Sequence, residues 1–437
     1  MEKRPKGMSY QLKTIVISIQ LIILGKTSLR GTSLTFSFFD KYFSGGVPAH
    51  TTGQLWVLRF GLFKLQEAKE KRDDWIYILD HTIEYGDKKC LVILGVTRET
   101  LMNNNGKIRH QDVVVLDIDV RVKADYKSVK QRLTRAQVLT GTPIQIVSDG
   151  GGNIVRGVRE FADKHESKNK ARIITTYDAT HKAAIILKKV LEKNDRWKLF
   201  SNNIANTKRC LVHTGLGFLA PPSPKEKSRW LNINEYISWV NNAILQDDEK
   251  MSRKDRQKYK QRLAWIKDFE KDIKEWNSML DMINLMKNEI KNNCLSEKTL
   301  SEIKEALSSI DINTSNLEYV KNEILEYVKE ETKNLTGLYL GTSDIIESIF
   351  GKYKKFSSKT PMKEVGKAIL TMPIFTSDIT PSKVKEAMET VSEKDVKEWL
   401  KENIGESLFC KRLKFCKLSR KNKKVGKENS RKFARGA

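Results

Sequence analysis

The 437-residue chain is short of acid, of paired cysteine and of long apolar runs, and each shortage argues against a class of protein. Its five cysteines, Cys90, Cys210, Cys294, Cys410 and Cys416, are an odd, scattered set with no CxxC pair. They argue against a disulfide framework or a structural zinc site and fit a reducing cytoplasm. No apolar run reaches the roughly 20 residues that span a bilayer. The nearest, Thr14 to Leu24, follows Lys3, Arg4 and Lys6 as in a signal peptide, but the next residues, Gly25 to Arg30, offer no small-x-small cleavage site. It reads as a buried helix. No internal repeat is evident. Gly150-Gly151-Gly152 lacks Gly-Lys-Ser/Thr and is no GxGxxG, so it reads as a tight turn and not a phosphate loop.

What is present is base. Eighty Lys and Arg against 54 Asp and Glu leave a net charge of +26, a field suited to nucleic acid or anionic lipid. Basicity alone neither chooses between these nor implies catalysis. With 39% hydrophobic and 31% charged residues, the chain is expected to be soluble and globular, with two to four domains.

Periodicity orders the chain. Leu12, Ile15, Val16, Ile19, Ile22 and Ile23 recur at helical spacing. Ser28 can cap a second helix with Leu34, Phe38 and Tyr42 inside, broken by Ser44-Gly45-Gly46-Val47-Pro48. A third helix carries Leu55, Leu58 and Leu62. Three short helices with a glycine-containing turn resemble a helix-turn-helix unit, which would set His50, Thr51, Thr52 and Gln54 against a DNA groove. A plain helical cap without DNA contact is the competing reading.

Beyond Asp74 the pattern becomes that of strands: Trp75 to Leu79, Lys89 to Val96 and Val113 to Val120, then a helix from Lys123 to Leu139. A strand at Pro143 to Val147, a helix from Asn153 to Lys164, a strand at Ile173 to Tyr177 and a helix from Thr180 to Lys193 follow. This is an α/β layer architecture with its functional positions at strand ends. After Pro221-Pro222-Ser223-Pro224, strand signals vanish from Trp230 to about Leu335. Trp265, Phe269, Ile273, Trp276, Leu280 and Ile283 mark one long helix; Leu317, Val320, Ile324 and Val328 mark another. A helix from Thr342 to Phe356 buries Ile346, Ile349, Phe350 and Tyr353. Cys410 to Ala437 holds twelve Lys or Arg and one acid, a tail expected to order only on a polyanion.

Two strands each end in an aspartate, Asp80 and Asp149. If these strands lie side by side, the carboxylates converge at one sheet edge, and a third acid from a helix would complete an oxygen-rich cage for two Mg²⁺ ions. No histidine base or covalent nucleophile is then needed. The bland alternative is that both aspartates cap turns.

The runs Asp74 to Ile83, Lys89 to Gly95, Ile146-Val147-Ser148-Asp149-Gly150-Gly151, Tyr177 to Lys182 and Ser343 to Phe350 resemble the catalytic blocks of bacterial insertion-sequence DDE transposases. The resemblance runs from about Tyr10 to Gly405 and is strongest between Asp74 and Trp197. It implies an RNase H-like (integrase-type) mixed sheet flanked by helices, with an all-α insertion between the second aspartate and the glutamate. It implies Asp80, Asp149 and Glu347 as catalytic metal ligands, Mg²⁺ as cofactor with Mn²⁺ able to substitute, and cleavage followed by strand transfer. Leu340 and Ser343 stand where one familiar transposase pattern has Tyr and Arg. Asp344 and Glu160 compete with Glu347 for the third place.

The expected organisation is a helical, helix-turn-helix-like DNA-binding domain at 1–66, a catalytic core at 67–220, a helical insertion at 221–338, the rest of the core at 339–407 and the basic tail at 408–437. Thr51, Thr52, Gln54, Lys182 and Lys354 are the candidate DNA contacts. His181 and Asp178 read chiefly as core support. Trp230, Trp239, Trp265 and Trp276 could stack on a base, but the last two read as core. The expected partners are double-stranded DNA at element ends and target, and further copies of the chain on DNA; no membrane partner is expected. The location is cytoplasmic, nucleoid-associated in a prokaryote. The rival readings are a transposase-derived protein that binds without cutting and an RNase H-like nuclease without strand transfer. An actin-like ATPase is disfavoured because His81-Thr82-Ile83 supplies no glycine-rich phosphate turn after Asp80.

Overall fold

The computed structural model describes residues 3–42, 46–167, 172–223, 233–245, 252–359 and 362–416. Three helices come first: α1 (Leu12–Ile23), α2 (Leu29–Phe38) and α3 (His50–Gln66). α1 buries the whole apolar row that its 3–4 spacing marks out. Among the described residues no helix is long and apolar enough to cross a membrane. α2 turns the other way from expectation. Its buried positions are Thr32 and Phe36, whereas Leu34, Phe38 and Tyr42 are exposed. A ten-residue helix carrying apolar residues on two sides lets tertiary packing choose the inner one.

α3 buries more of its surface than the helix-turn-helix reading expects, and that unit is not shown by the structure. Trp56, Val57, Leu58, Phe60, Leu62 and Phe63 are all buried, so the helix is enclosed around much of its circumference. At Gly61 an added Cβ would stand 1.8 Å from the Leu370 carbonyl oxygen, so only glycine permits that approach. The first turn of α3 stays open, with His50 and Thr51 exposed and Thr52 half-buried.

The chain then runs β1 (Trp75–Ile83), β2 (Lys89–Thr97), α4 (Arg98–Asn103), β3 (Val114–Arg121), α5 (Tyr126–Thr140), β4 (Gln145–Ser148), α6 (Gly152–Glu166) and β5 (Ile174–Tyr177). Apart from the short α4, this is the predicted order. The strands form one mixed sheet in the order β3-β2-β1-β4-β5. β1 pairs antiparallel with β2 and parallel with β4, and β2 pairs antiparallel with β3. Trp75, Tyr77, Leu79, Leu91, Ile93 and Ile146 project into one apolar cluster with Val129 and Leu133 of α5 and Ile154, Val158 and Phe161 of α6. At about 1.5–3 kcal/mol for each fully buried large apolar side chain, this cluster fixes the sheet against its helices. On the same face Arg132 of α5 meets Asp117 and Asp119 of β3, at 3.3 and 2.5 Å. Burial pushes the Asp117 carboxyl up, and the Arg132 guanidinium opposes it.

Helices follow: α7 (Ala179–Leu191), α8 (Asp195–Leu211), α9 (Ile233–Leu245), α10 (Arg253–Leu263), α11 (Glu270–Asn293), α12 (Thr299–Ser308) and α13 (Ser315–Glu331). Then come α14 (Asp344–Ser357), α15 (Met372–Phe375), α16 (Pro381–Thr390) and α17 (Glu393–Asn403). The chain divides into two compact units. One comprises 1–104, 108–175 and 343–437, the other 105–107 and 176–342. The three N-terminal helices thus belong to the sheet's unit and do not form a separate 1–66 domain. The helical unit starts at Thr176 and not at 221, and takes α7 and α8 with it. Of the basic segment beginning at 408, residues 408–416 are helical and the remainder lies outside the described residues.

The helical unit is built on α11, which buries Ile273, Trp276, Leu280, Ile283, Met286 and Ile290 along one side and packs against α7, α9, α12 and α13. The predicted long helix from Trp265 is interrupted, because Ala264–Phe269 winds as a tighter 3₁₀ turn before α11. Trp197, Phe200, Trp265, Phe269 and Trp276 meet edge-on or stacked at 4.9–6.5 Å. The Trp265 and Trp239 indoles donate to Thr207 Oγ1 and the Leu219 carbonyl. Aromatics held this way serve the core and are not free to stack on a base; Trp230 lies outside the described residues.

In the same unit Glu331 accepts a hydrogen bond from the Tyr177 N–H at 3.2 Å. Burial raises its carboxyl from 4.5 to about 7, the Tyr177 N–H opposing the rise. A carboxyl raised on folding contributes stability that is complete below its unfolded value and is lost as pH climbs through the folded one. Wild-type stability relative to Glu331→Gln is therefore expected to fall between pH 4.5 and about pH 7, with a slope approaching about 1.4 kcal/mol per pH unit. Urea denaturation of both proteins across that range checks this; parallel pH profiles would contradict it.

Candidate active site

The site begins with β1. Trp75 to Leu79 are all buried, as befits a central strand covered on both faces. Its parallel register with β4 runs Ile76 to Gln145, Tyr77 to Ile146, Ile78 to Val147 and Leu79 to Ser148. Asp80 follows Leu79 inside β1, which does not stop there as the sequence pattern suggests but runs on to Ile83, paired with β2 throughout; Asp149 follows Ser148 at the carboxyl end of β4, where α/β sheets characteristically hold ligands. Because Tyr77 and Leu79 enter the α5/α6 cluster, strand alternation turns Ile76, Ile78 and Asp80 to the opposite face. α14 packs against β1 and contributes nothing to the α5/α6 cluster, which assigns it to the Asp80 face.

Asp80 is only 8% exposed, and its Oδ1 accepts from the His81 N–H at 2.6 Å. Asp149 is half-buried just past β4, and its Oδ1 accepts from the Gly151 N–H at 3.2 Å. Gly151 caps α6, so the Asp149 carboxylate stands beside the positive end of a fifteen-residue helix. An added Cβ at Gly151 would lie 3.2 Å from that same oxygen, so the glycine leaves room for the carboxylate.

His81 is a residue that sequence reasoning quoted but assigned no role. Burial pushes its imidazolium down from the ordinary value, and the Asp149 carboxylate pulls it partly back. Its Nε2 is buried without a hydrogen-bond partner. A buried imidazole within the field of Asp149 is thus left with one polar atom to satisfy. Position next to Asp80 was the only available signal.

Glu347 lies in the first turn of α14, exposed, between the buried Ile346 and Ile349. Beside it the Ser348 hydroxyl meets His110 Nε2 at 3.1 Å. Among the described residues no three His, Cys, Asp or Glu side chains stand together closely enough to hold a metal ion. The β1/β4 register sets Asp80 and Asp149 one residue beyond the paired Leu79 and Ser148, and no three-ligand group that includes Glu347 is formed among the described residues. Of its competitors, Glu160 is held by Lys130 and Arg156 at 3.1 and 3.2 Å, and Asp344 is half-buried in the same turn as Glu347. The donors are all carboxylate oxygens, the type Mg²⁺ prefers. That ion is commonly seated by one or two carboxylates and completed by water and substrate phosphate, so the pair suits it.

The candidate DNA contacts separate. Thr51 is exposed, Thr52 half-buried, and Gln54 accepts from Lys367 Nζ at 2.7 Å. Lys182 is corrected: its ammonium sits 2.9 Å from Glu323, with both side chains largely buried. Its burial is offset by that pairing, which with Lys189 and Tyr319 holds the Glu323 carboxyl at about 2. Lys354 is half-buried near the end of α14. Asp178 is buried, caps α7 by accepting from the His181 N–H at 2.7 Å and lies 3.3 Å from His181 Nδ1, the structural role expected of both.

Two carboxylates that follow paired residues of neighbouring strands repel each other when no cation lies between them. Asp80→Asn keeps the oxygen that accepts from the His81 N–H and removes one charge. It is expected to raise stability by about 1 kcal/mol in chelator, a gain of roughly 2–4 °C in melting temperature. Thermal denaturation in EDTA measures this, and a lowered melting temperature would mean that the two charges do not face one another.

No protein-family model matches the chain, and no curated protein matches it. Among solved structures, it is similar to the Drosophila P element transposase strand transfer complex, at 13% identity and a TM-score of 0.38, over 85% of this chain and 92% of that one. A likeness that low carries no argument about function. The fold stands on the sheet: a five-stranded mixed sheet in the order β3-β2-β1-β4-β5, flanked by helices and compatible with an RNase H-like fold.

Proposed function

We propose that the chain is a DNA transposase of the bacterial insertion-sequence type. It binds the terminal repeats of a mobile element, cuts DNA there by metal-dependent phosphodiester hydrolysis and joins the 3′ ends to target DNA. The observation that carries this reading is the parallel register of β1 on β4, in which Asp80 follows the paired Leu79 inside β1 and Asp149 follows the paired Ser148 at the end of β4. The net charge of +26 supports a polyanionic substrate, and the motif blocks that flank both aspartates support the family.

On this reading Asp80 and Asp149 hold Mg²⁺ (or Mn²⁺), and Glu347 joins them when the first turn of α14 moves in on bound DNA. Bound there, the ion supplies Lewis-acid stabilisation and an acidified water. The chain's own contribution is to position. Asp80 is held rigid by a buried strand, and Asp149 is oriented by the Gly151 N–H and the end of α6. Two element ends must be held together for joining, so the active species is a multimer of this chain on double-stranded DNA.

The exposed position of Glu347 and the lack of a three-ligand cluster among the described residues favour one second reading, a transposase-derived protein that binds DNA without cutting it. A plasmid carrying the DNA that flanks the coding gene, incubated with protein and Mg²⁺, separates the two. Transposition predicts nicked or linear plasmid and joined products. Asp80→Ala, Asp149→Ala and Glu347→Gln should each lower cleavage at least about 100-fold while leaving DNA binding intact. Binding with no cutting by wild type would establish the second reading, and cutting that survives Asp80→Ala would overturn the site.

A further inference from the structure

In the unit that contains the sheet, the end of α1, the turn before β3 and the second half of α14 enclose an open cleft of about 470 Å³. Lys26, Arg109, His110, Lys352 and Lys355 line it, and Asp378 is its only acid. Phe356 and Phe375 form part of an apolar wall, with Lys352 Nζ 5.8 Å from the Phe375 ring centroid. A fifth Lys or Arg is close, since Lys359 Nζ donates to the Lys26 carbonyl at 3.2 Å.

Three features set this cleft apart from the rest of a basic surface. First, other withdrawn cations are spent inside the protein: Arg72 pairs with Asp74, Arg132 with Asp117 and Asp119, and Lys182 with Glu323, while Arg59 and Lys69 donate to backbone carbonyls. Among the described residues Lys26, Arg109, Lys352 and Lys355 have no such ion pair. Second, the cations face one another. Lys352 is held below the ordinary lysine value by burial and then by Lys26, and His110 is lowered by burial and then by Lys352. Third, Lys26 has φ +55°, a left-handed backbone that a lysine adopts only at a cost. Like-charge crowding collected in one open cleft is relieved by an anion. A lone phosphate engages two or three donors, so four Lys and Arg side chains on one wall, with His110 as a further donor, match successive phosphates along a strand.

We infer that this cleft binds the phosphodiester backbone of duplex DNA, independently of sequence, with Lys26, Lys352 and Lys355 as its principal contacts. The inference rests on the transposase reading only in its choice of polyanion. Through Ser348, hydrogen-bonded to His110 and adjacent to Glu347, the cleft also borders the turn that carries the third candidate ligand. DNA held here would lie next to that turn.

Fluorescence anisotropy of a labelled duplex of arbitrary sequence, titrated with full-length protein over a range of salt, tests this. The cleft variant is Lys26→Gln with Lys352→Gln and Lys355→Gln. The control removes the same charge from exposed lysines of α17, as Lys394→Gln with Lys397→Gln and Lys401→Gln. The cleft variant is expected to bind at least about tenfold more weakly and to lose about 2–3 from the slope of log affinity on log salt, at about 0.9 per phosphate contact. The control should change affinity less than about threefold. Equal weakening in both variants, or wild-type binding by the cleft variant, overturns the proposal. So does a cleft variant that loses binding to phosphatidylserine vesicles while keeping its DNA affinity, which would assign the cleft to a lipid surface. Should the triple variant not fold, hydrogen exchange on wild type decides: duplex DNA is expected to protect 109–112 and 352–356, and no protection there overturns the proposal. Binding is read in EDTA, where no metal-dependent cleavage occurs, so failure of catalysis and failure of the cleft are separable.

Discussion

The parallel pairing of β1 with β4 is the constraint on which the rest depends. Strand side chains alternate with a period of two, so a slip of one residue would send every one of them to the other face. Here Tyr77 lies opposite Ile146, and Leu79 opposite Ser148. Tyr77, Leu79 and Ile146 are bound into the cluster with α5 and α6. A slipped β1 would drive the Asp80 carboxylate into that apolar cluster and lift Leu79 out of it. Burying an unpaired carboxylate costs far more than any local rearrangement could recover. The apolar core therefore does more than stabilise the sheet. It fixes where two charges stand, and it does so with residues that take no part in chemistry.

Much of this was legible in the residues. The succession of strands and helices from Trp75 to Leu191 follows from changes of period, and α1 and α13 bury the residues their spacing marks. Asp149 stands where the β4 pattern stops, whereas β1 continues past Asp80 to Ile83 because β2 pairs with it throughout. What was not legible depends on neighbours remote in the chain. α2 has apolar side chains on two sides, and only its contacts decide that Phe36 goes in while Phe38 stays out. α3 begins with polar residues and looked like a surface helix, but its later turns are enclosed by buried aromatics and by the approach of Leu370 to Gly61. The division of the chain at Thr176 follows spatial contact; the proline-rich stretch at 221 merely looks like a hinge.

Lysine illustrates the same limit in electrostatic terms. Lys182 and Lys352 are indistinguishable as letters, each on a helix among other basic residues. Lys182 meets Glu323, 141 residues further along, and is consumed by that pairing. Lys352 meets Lys26 and is disfavoured by it. The first neutralises a charge inside the protein and the second accumulates charge toward the outside. With 80 basic and 54 acidic residues, some cations must lack partners. Their concentration in one cleft, with a strained backbone at its rim, is a property of the fold and not of composition.

The central claim is that the Asp80 and Asp149 carboxylates form the seat of a divalent ion, and anomalous diffraction from crystals soaked in Mn²⁺ tests it most directly. The account predicts a Mn²⁺ peak within ligand distance of both Asp80 and Asp149, with Glu347 drawn toward it when DNA is present. Mn²⁺ bound elsewhere, with the two aspartates making no contact to it, would contradict the account.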